Sequence, residues 1–253
     1  MYVENRFSAL NAVSTPEFWA NNFQDSIKYN AWKALSIFMD YRWRLIRRYI
    51  PQNEDCRVLD AGCGFGEWVY HLNKYGYKSE GLDYSDTLIS RLQQCYNEYK
   101  WTLGATTAMP YEDKSFNGVI SWGVVEHDPH GPDGQLREFY RVLKPGGRVI
   151  LTVPYDSPVH RKTSKIQFAG HGQFFQYFFT PDEFSRHLAA VGFKVIKTAP
   201  APDICPALIA PNFYAKTNGK GLAYKMMRLA TRLNPGITWR SNMIYAIAER
   251  CVD

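Results

Sequence analysis

Long apolar runs are missing from this chain. No stretch of about 18 uninterrupted apolar residues occurs, so the sequence offers no membrane-spanning helix. Residues 1–20 lack a basic segment followed by an apolar one and do not read as a secretion signal. Cysteine is sparse and odd in number: Cys56, Cys63, Cys95, Cys205 and Cys251, with no CxxC pair. That pattern argues against a disulfide framework or a structural zinc site, and for reduced thiols in a soluble, cytoplasmic protein. A strong charge of one sign is also absent. Thirty Lys and Arg against 24 Asp and Glu leave a net charge of +6, a bias that permits an anionic partner without requiring one. Internal repeats and low-complexity tracts are absent as well, which sets aside solenoids and disordered linkers.

What is present suits one large domain: 253 residues, 45 % of them hydrophobic, enough to bury a full core. Residues 1–50 are rich in aromatics (Trp19, Phe23, Tyr29, Trp32, Phe38, Tyr41, Trp43) and read as helical, a lid over the remainder. Residues 51–198 alternate strands with helices. The expected strands are Arg57–Ala61, Tyr77–Asp83, Trp101–Ala105, Gly118–Gly123, Arg148–Val153 and Phe193–Thr198, with Met243–Glu249 as a last one. Between them, helices are expected over Glu67–Lys74, from Ser85 and Asp86 to about Tyr99, and over Gln135–Leu143, where Lys144-Pro145-Gly146-Gly147 forms a turn. Thr180-Pro181-Asp182-Glu183 is a capping box that opens a further helix, closed at Gly192. Strand–helix alternation implies a parallel sheet with helices on both faces, and ligands bind such sheets beyond the carboxyl ends of the strands.

Two motifs fall at those ends. Asp60-Ala61-Gly62-Cys63-Gly64-Phe65-Gly66-Glu67 runs from a strand through glycines into a helix. A dinucleotide fingerprint needs a third glycine at position 67, but Glu67 stands there, and its carboxylate would repel a pyrophosphate. Asp60 beside the loop suits a positively charged ligand. An acidic residue about 20 residues beyond a glycine loop can hold both ribose hydroxyls, and Asp83 occupies that place, followed by Tyr84. A helix cap is the plainer reading of Asp83, since Ser85 and Asp86 follow it.

At this point the chain resembles the class I S-adenosylmethionine-dependent methyltransferases, in particular the type 11 or UbiE-like group. The matching stretches are VLDAGCGFGEW, EGLDYS, AMPYEDKSFNGVISWGVVEH, LREFYRVLKPGGRVILTVP and FFTPDEFSRHLAAVGFKV. The resemblance implies a Rossmann-like three-layer sandwich with a seven-stranded, mostly parallel sheet whose last strand is antiparallel. It implies S-adenosyl-L-methionine as cofactor and S-adenosyl-L-homocysteine as product. Asp60, Gly62, Cys63 and Gly64 would line its methionine end, Asp83 its ribose, and Tyr84 with Thr106, Thr107, Ala108 and Met109 its adenine. Trp122 and Gly123 would approach the sulfonium. The chain departs from the family at Ala105, where many members carry an aspartate that accepts from the adenine amino group.

His127 follows the fourth core strand in Val125-Glu126-His127-Asp128, where the transferable methyl group should point. A histidine suits proton removal from an acceptor hydroxyl near neutral pH; the alternative is that it only shapes the pocket. No His, Asp and Glu set has metal spacing, so a metal-independent, in-line transfer is expected. The expected acceptor is a small molecule or a glycan, methylated on oxygen. Methylation on nitrogen or carbon, including tRNA or lipid-linked acceptors, and a binding protein without catalysis are the alternatives. Arg161, Lys162 and Lys165, with His160 and His171, lie in the long loop after the fifth core strand and are candidate acceptor contacts. Residues 199–240 form a variable insertion before the last strand. In it Leu222, Met226, Leu229 and Leu233 share one helical face beside Lys225, Arg228 and Arg232, a pattern that fits packing, a homodimer contact or a membrane surface. Nucleic acid is not the expected partner, although Tyr41–Arg48 mixes basic and aromatic residues.

Overall fold

The computed structural model describes residues 6–8, 15–18, 37–157, 166–168, 174–202 and 241–252. Among these the strands are β1 (Arg6–Ser8), β2 (Arg57–Ala61), β3 (Lys78–Asp83), β4 (Lys100–Leu103), β5 (Phe116–Trp122), β6 (Leu143–Pro154), β7 (Ile166–Phe168), β8 (Phe193–Pro200) and β9 (Met243–Arg250). The helices are α1 (Tyr41–Tyr49), α2 (Glu67–Lys74), α3 (Asp86–Cys95), α4 (Asp133–Val142) and α5 (Pro181–Val191).

Seven strands form one sheet in the order β4-β3-β2-β5-β6-β9-β8. The pairings from β4 through to β6 are parallel, while β9 runs antiparallel to both β6 and β8. β1 and β7 pair antiparallel as a separate ribbon. Successive strand residues point to opposite faces, and the core divides accordingly. Leu59, Val119 and Val149 meet Leu136 and Phe139 of α4 and Phe184 and Leu188 of α5. Their neighbours Val58, Ile120 and Ile150 meet Trp43 and Ile46 of α1 and Trp68 and Leu72 of α2 on the other face. The expected three-layer α/β sandwich, with its antiparallel last strand, is the fold observed.

Local departures have local causes. α3 ends at Cys95, short of Tyr99, because Tyr96 turns out of helical geometry (φ −143°) and gives its carbonyl to the Trp101 indole N–H at 2.8 Å. β6 begins at Leu143 rather than Arg148. Leu143 pairs with Phe116, the register shifts, and pairing resumes at Gly118 and Arg148, so Lys144–Gly147 lies within the strand's irregular start. The capping box of α5 is as expected, with both reciprocal bonds, and Gly192 (φ +109°) closes the helix. The N-terminal residues are not helical throughout: Arg6–Ser8 is a strand, drawn into extension by pairing with β7. Trp19, Phe23, Tyr29 and Trp32 lie outside the described residues, as do His160, Arg161, Lys162, Lys165, His171, Cys205 and the whole Leu222–Leu233 segment. Among the described residues no helix is long and apolar enough to cross a membrane.

Candidate active site

A cavity of about 470 Å³ opens beyond the carboxyl ends of β2, β3 and β5. The loop after β2 shapes one wall. Gly62 turns with φ +80°, and its N–H and that of Cys63 both donate to the Leu82 carbonyl, at 2.8 and 2.9 Å. A Cβ at Gly62 would sit 2.5 Å from the Val124 side chain, so that backbone angle and that neighbour together demand glycine. Asp83, at the end of β3, braces the loop from the other side. Its Oδ2 accepts from the Gly64 N–H and its Oδ1 from the Ser85 N–H, both at 2.9 Å. Burial raises the Asp83 carboxyl above its ordinary range, against these bonds.

Asp60 is only 1 % exposed, and its Oδ1 has no hydrogen-bond partner. Burial first, then the neighbouring Asp83 charge, pushes its pKa up to about 8, while Arg42 pulls the other way. A carboxyl that holds its proton to neutral pH in the free protein is set to release it to an incoming cation.

β5 leaves the sheet through Trp122 and Gly123 (φ +69°) into the turn Val125–His127. His127 Nδ1 lies 2.8 Å from the Phe175 carbonyl oxygen. A carbonyl only accepts, so Nδ1 carries the hydrogen and Nε2 is the ring's acceptor. Burial lowers the His127 pKa and so favours the neutral imidazole, opposed by the hydrogen bond to that carbonyl. Glu126 turns inward, 2 % exposed, and does not line the cavity. Its Oε1 is 4.0 Å from His127 Nε2, and burial pushes its pKa up to about 8.

Of the candidates named from sequence, Asp60, Gly62, Cys63, Gly64, Asp83, Tyr84, Thr106, Thr107, Trp122, Gly123 and His127 all line this one cavity. Ala108 and Met109 do not. Ala108 faces solvent, and Met109 is packed in the core with its N–H given to Glu138 Oε2 at 2.7 Å. The segment turns away after Thr107, because the chain must return to β5. Among the lining residues that were not site candidates from sequence are Arg42 and Gln135. Arg42 of α1 binds Asp40 (Nη2 to Oδ2, 2.7 Å) and lies over the rings of Trp68 and Trp122, at 4.8 and 5.5 Å to their centroids. Gln135 stands in the first turn of α4. Neither belongs to a local motif; tertiary packing alone brings them in.

Three buried polar atoms on the lining have no hydrogen-bond partner: Asp60 Oδ1, Gln135 Oε1 and Trp122 Nε1. Buried polar groups are rarely left unpaired, and such atoms point to an absent ligand. A ligand that meets this set offers a cationic donor to the carboxylate, a neutral donor to the amide and an acceptor to the indole. S-adenosylmethionine carries all three, and Glu67 beside the loop disfavours a phosphate-bearing rival. Among the described residues no three His, Cys, Asp or Glu side chains gather as metal ligands would.

A methyltransferase-domain family model matches residues 35–198, well over half of the chain. This chain belongs to the S-adenosylmethionine-dependent methyltransferases. It is of the class I, UbiE-like type. A demethylmenaquinone methyltransferase from Chlorobaculum parvum is 28 % identical over 183 residues, covering 65 % of this chain and 76 % of that protein. A sterol 24-C-methyltransferase from Debaryomyces hansenii is 29 % identical, covering 70 % and 50 %. A tRNA U34 carboxymethyltransferase from Nautilia profundicola is 30 % identical, covering 47 % and 43 %. This methyltransferase thus spans between under half and three quarters of the length of such relatives. Solved structures share the fold. An S-adenosylmethionine-dependent methyltransferase from Mesorhizobium loti has a TM-score of 0.59 at 16 % identity, covering 85 % of this chain and all 100 % of that one. A phosphoethanolamine N-methyltransferase from Haemonchus contortus, with S-adenosylhomocysteine bound, has a TM-score of 0.56 at 17 % identity, covering 95 % and 61 %.

Proposed function

We propose that this methyltransferase methylates a small-molecule or glycan acceptor on a hydroxyl oxygen, with His127 as the base that removes the hydroxyl proton. The cofactor, when bound, supplies a methyl group on an electron-poor sulfonium. Asp60 is assigned to its ammonium, Asp83 to its ribose, and Tyr84, Thr106 and Thr107 to the adenine, with Trp122 and Gly123 beside the sulfonium. Residues 1–50 serve as the lid, residues 51–198 as the cofactor-binding core and residues 199–240 as the acceptor-selecting insertion. Arg42 reaching into the cavity from α1 supports the lid role.

The carrying observation is His127 itself. It lines the cavity beside Gly123, its tautomer is set by the Phe175 carbonyl, and its acceptor nitrogen is Nε2. A neutral imidazole can take a proton while the acceptor oxygen is held in line for transfer. Carbon methylation is the second reading, supported by the named relatives that act on demethylmenaquinone and on sterol C-24. The test offers a panel of phenols, quinols, sterols and sugars, follows S-adenosylhomocysteine release, and locates the new methyl by mass spectrometry and NMR. His127→Gln is expected to lower kcat by about 100-fold or more while binding of S-adenosylhomocysteine is unchanged. Full turnover by that variant would remove the base; a product methylated at carbon would select the second reading.

A further inference from the structure

We propose that Gln135 is the residue that recognises the 6-amino group of the cofactor's adenine. The inference rests on the cofactor assignment above and extends it to a residue outside every motif in the sequence. Gln135 is 6 % exposed, lines the cavity, and its Oε1 has no hydrogen-bond partner. An amide oxygen held dry costs free energy until a donor reaches it.

The placement of α4 brings this oxygen to the adenine side. A Cβ on Gly134, the residue before, would lie 3.8 Å from Thr107 Cγ2. Glu138, one turn further along the same helix face, accepts the Met109 N–H at 2.7 Å and is itself held by Arg141 at 2.7 Å. The first two turns of α4 are therefore fastened to the segment that carries Thr106 and Thr107. That segment has no acidic acceptor of its own, since Gly104 and Ala105 bring no polar side-chain atom to the cavity.

The chemistry pairs off in one way. The cofactor's hydrogen-bond donors are an ammonium, two ribose hydroxyls and the adenine amino group. The ammonium is charged and suits the carboxylate of Asp60. The ribose hydroxyls suit Asp83. The amino group is a neutral donor, and the remaining unpartnered acceptor, Gln135 Oε1, is neutral too. A primary amide also presents donor and acceptor side by side, the complement of an adenine edge, which is why glutamine and asparagine serve adenine elsewhere.

The test measures binding, not turnover. Calorimetry compares S-adenosylhomocysteine with its analogue that carries hydrogen in place of the 6-amino group. Wild type is expected to prefer the amino compound by about tenfold, about 1.4 kcal/mol. Gln135→Leu should lose that preference, weakening on the amino compound and barely changing on the analogue. Ala105→Asp in the same background should restore the preference by supplying an acceptor from the adjoining wall. Wild type that binds both ligands equally, or a folded Gln135→Leu that keeps the preference, overturns the proposal while leaving the cofactor assignment intact. Wild type that binds neither overturns both.

Discussion

Asp60 joins two properties that rarely coincide: it is buried, and one of its oxygens waits for a partner. Its raised pKa has a signed consequence for binding. The carboxylate must be charged to hold a cation, so with Asp60 assigned to the ammonium, binding of S-adenosylmethionine is expected to expel the Asp60 proton. Affinity is therefore expected to climb as pH rises towards about 8, by up to about tenfold per unit, and then level off. For the free protein the sign is opposite. A carboxyl whose folded value exceeds its unfolded value contributes stability that is full below about pH 4 and is lost as pH rises through the folded value. Asp60→Asn should flatten both dependences and weaken the cofactor; titration calorimetry across pH, alongside thermal melts, reads all three. Affinity that falls from pH 6 to pH 8 would contradict the assignment. Asp60, Asp83 and His127 were legible as cavity-lining residues because each sits at a strand end beside a motif with fixed spacing. Arg42 and Gln135 were not, because what qualifies them is contact with residues far along the chain. Met109 was misread for a related reason: four consecutive residues cannot all face one cleft when the chain must turn back into the sheet.

At the scale of elements, sequence spoke most clearly where a few residues settle a boundary by themselves. The α5 capping box is such a case. Thr180 Oγ1 accepts from the Glu183 N–H at 3.3 Å, and Glu183 Oε2 accepts from the Thr180 N–H at 3.4 Å. Thr180→Ala is expected to cost about 1 kcal/mol, seen as a lower urea midpoint with an unchanged slope. Cofactor affinity should not move, since α5 does not line the cavity. Boundaries decided by remote partners were less legible. α3 stops where a tryptophan from β4 needs a carbonyl, and β6 starts early because Leu143 finds Phe116. A helix-breaking Lys-Pro-Gly-Gly stretch carries neither fact.

For the molecule as a whole, the layers, the parallel part of the sheet and the place of the cavity were readable from the alternation of apolar strands and amphipathic helices, whereas the antiparallel last strand was implied only by the family resemblance. What alternation does not carry is the side-chain fastening between distant parts. Arg250, in β9, donates through Nη1 to the carbonyls of Tyr140, Arg141 and Leu143 at 2.8–3.0 Å, and its guanidinium lies 4.8 Å over the Tyr140 ring. It thereby closes the end of α4, the helix that carries Gln135. Arg250→Met strips those carbonyls of a charged donor and should destabilise the fold by about 2 kcal/mol or more, measured by chemical denaturation. The position of β9 has a consequence in time. Among the described residues it follows the other strands in sequence yet lies inside the sheet, between β6 and β8, and β8 pairs with no other strand. A chain emerging from the ribosome can assemble β2 to β6, and with them the mouth of the cavity and the face on which α4 and α5 pack, while β8 still has no strand beside it to join. Until β9 emerges, the edge of β6 that it will cover and the unpaired β8 stand exposed together, and in that interval the nascent protein is most dependent on chaperones.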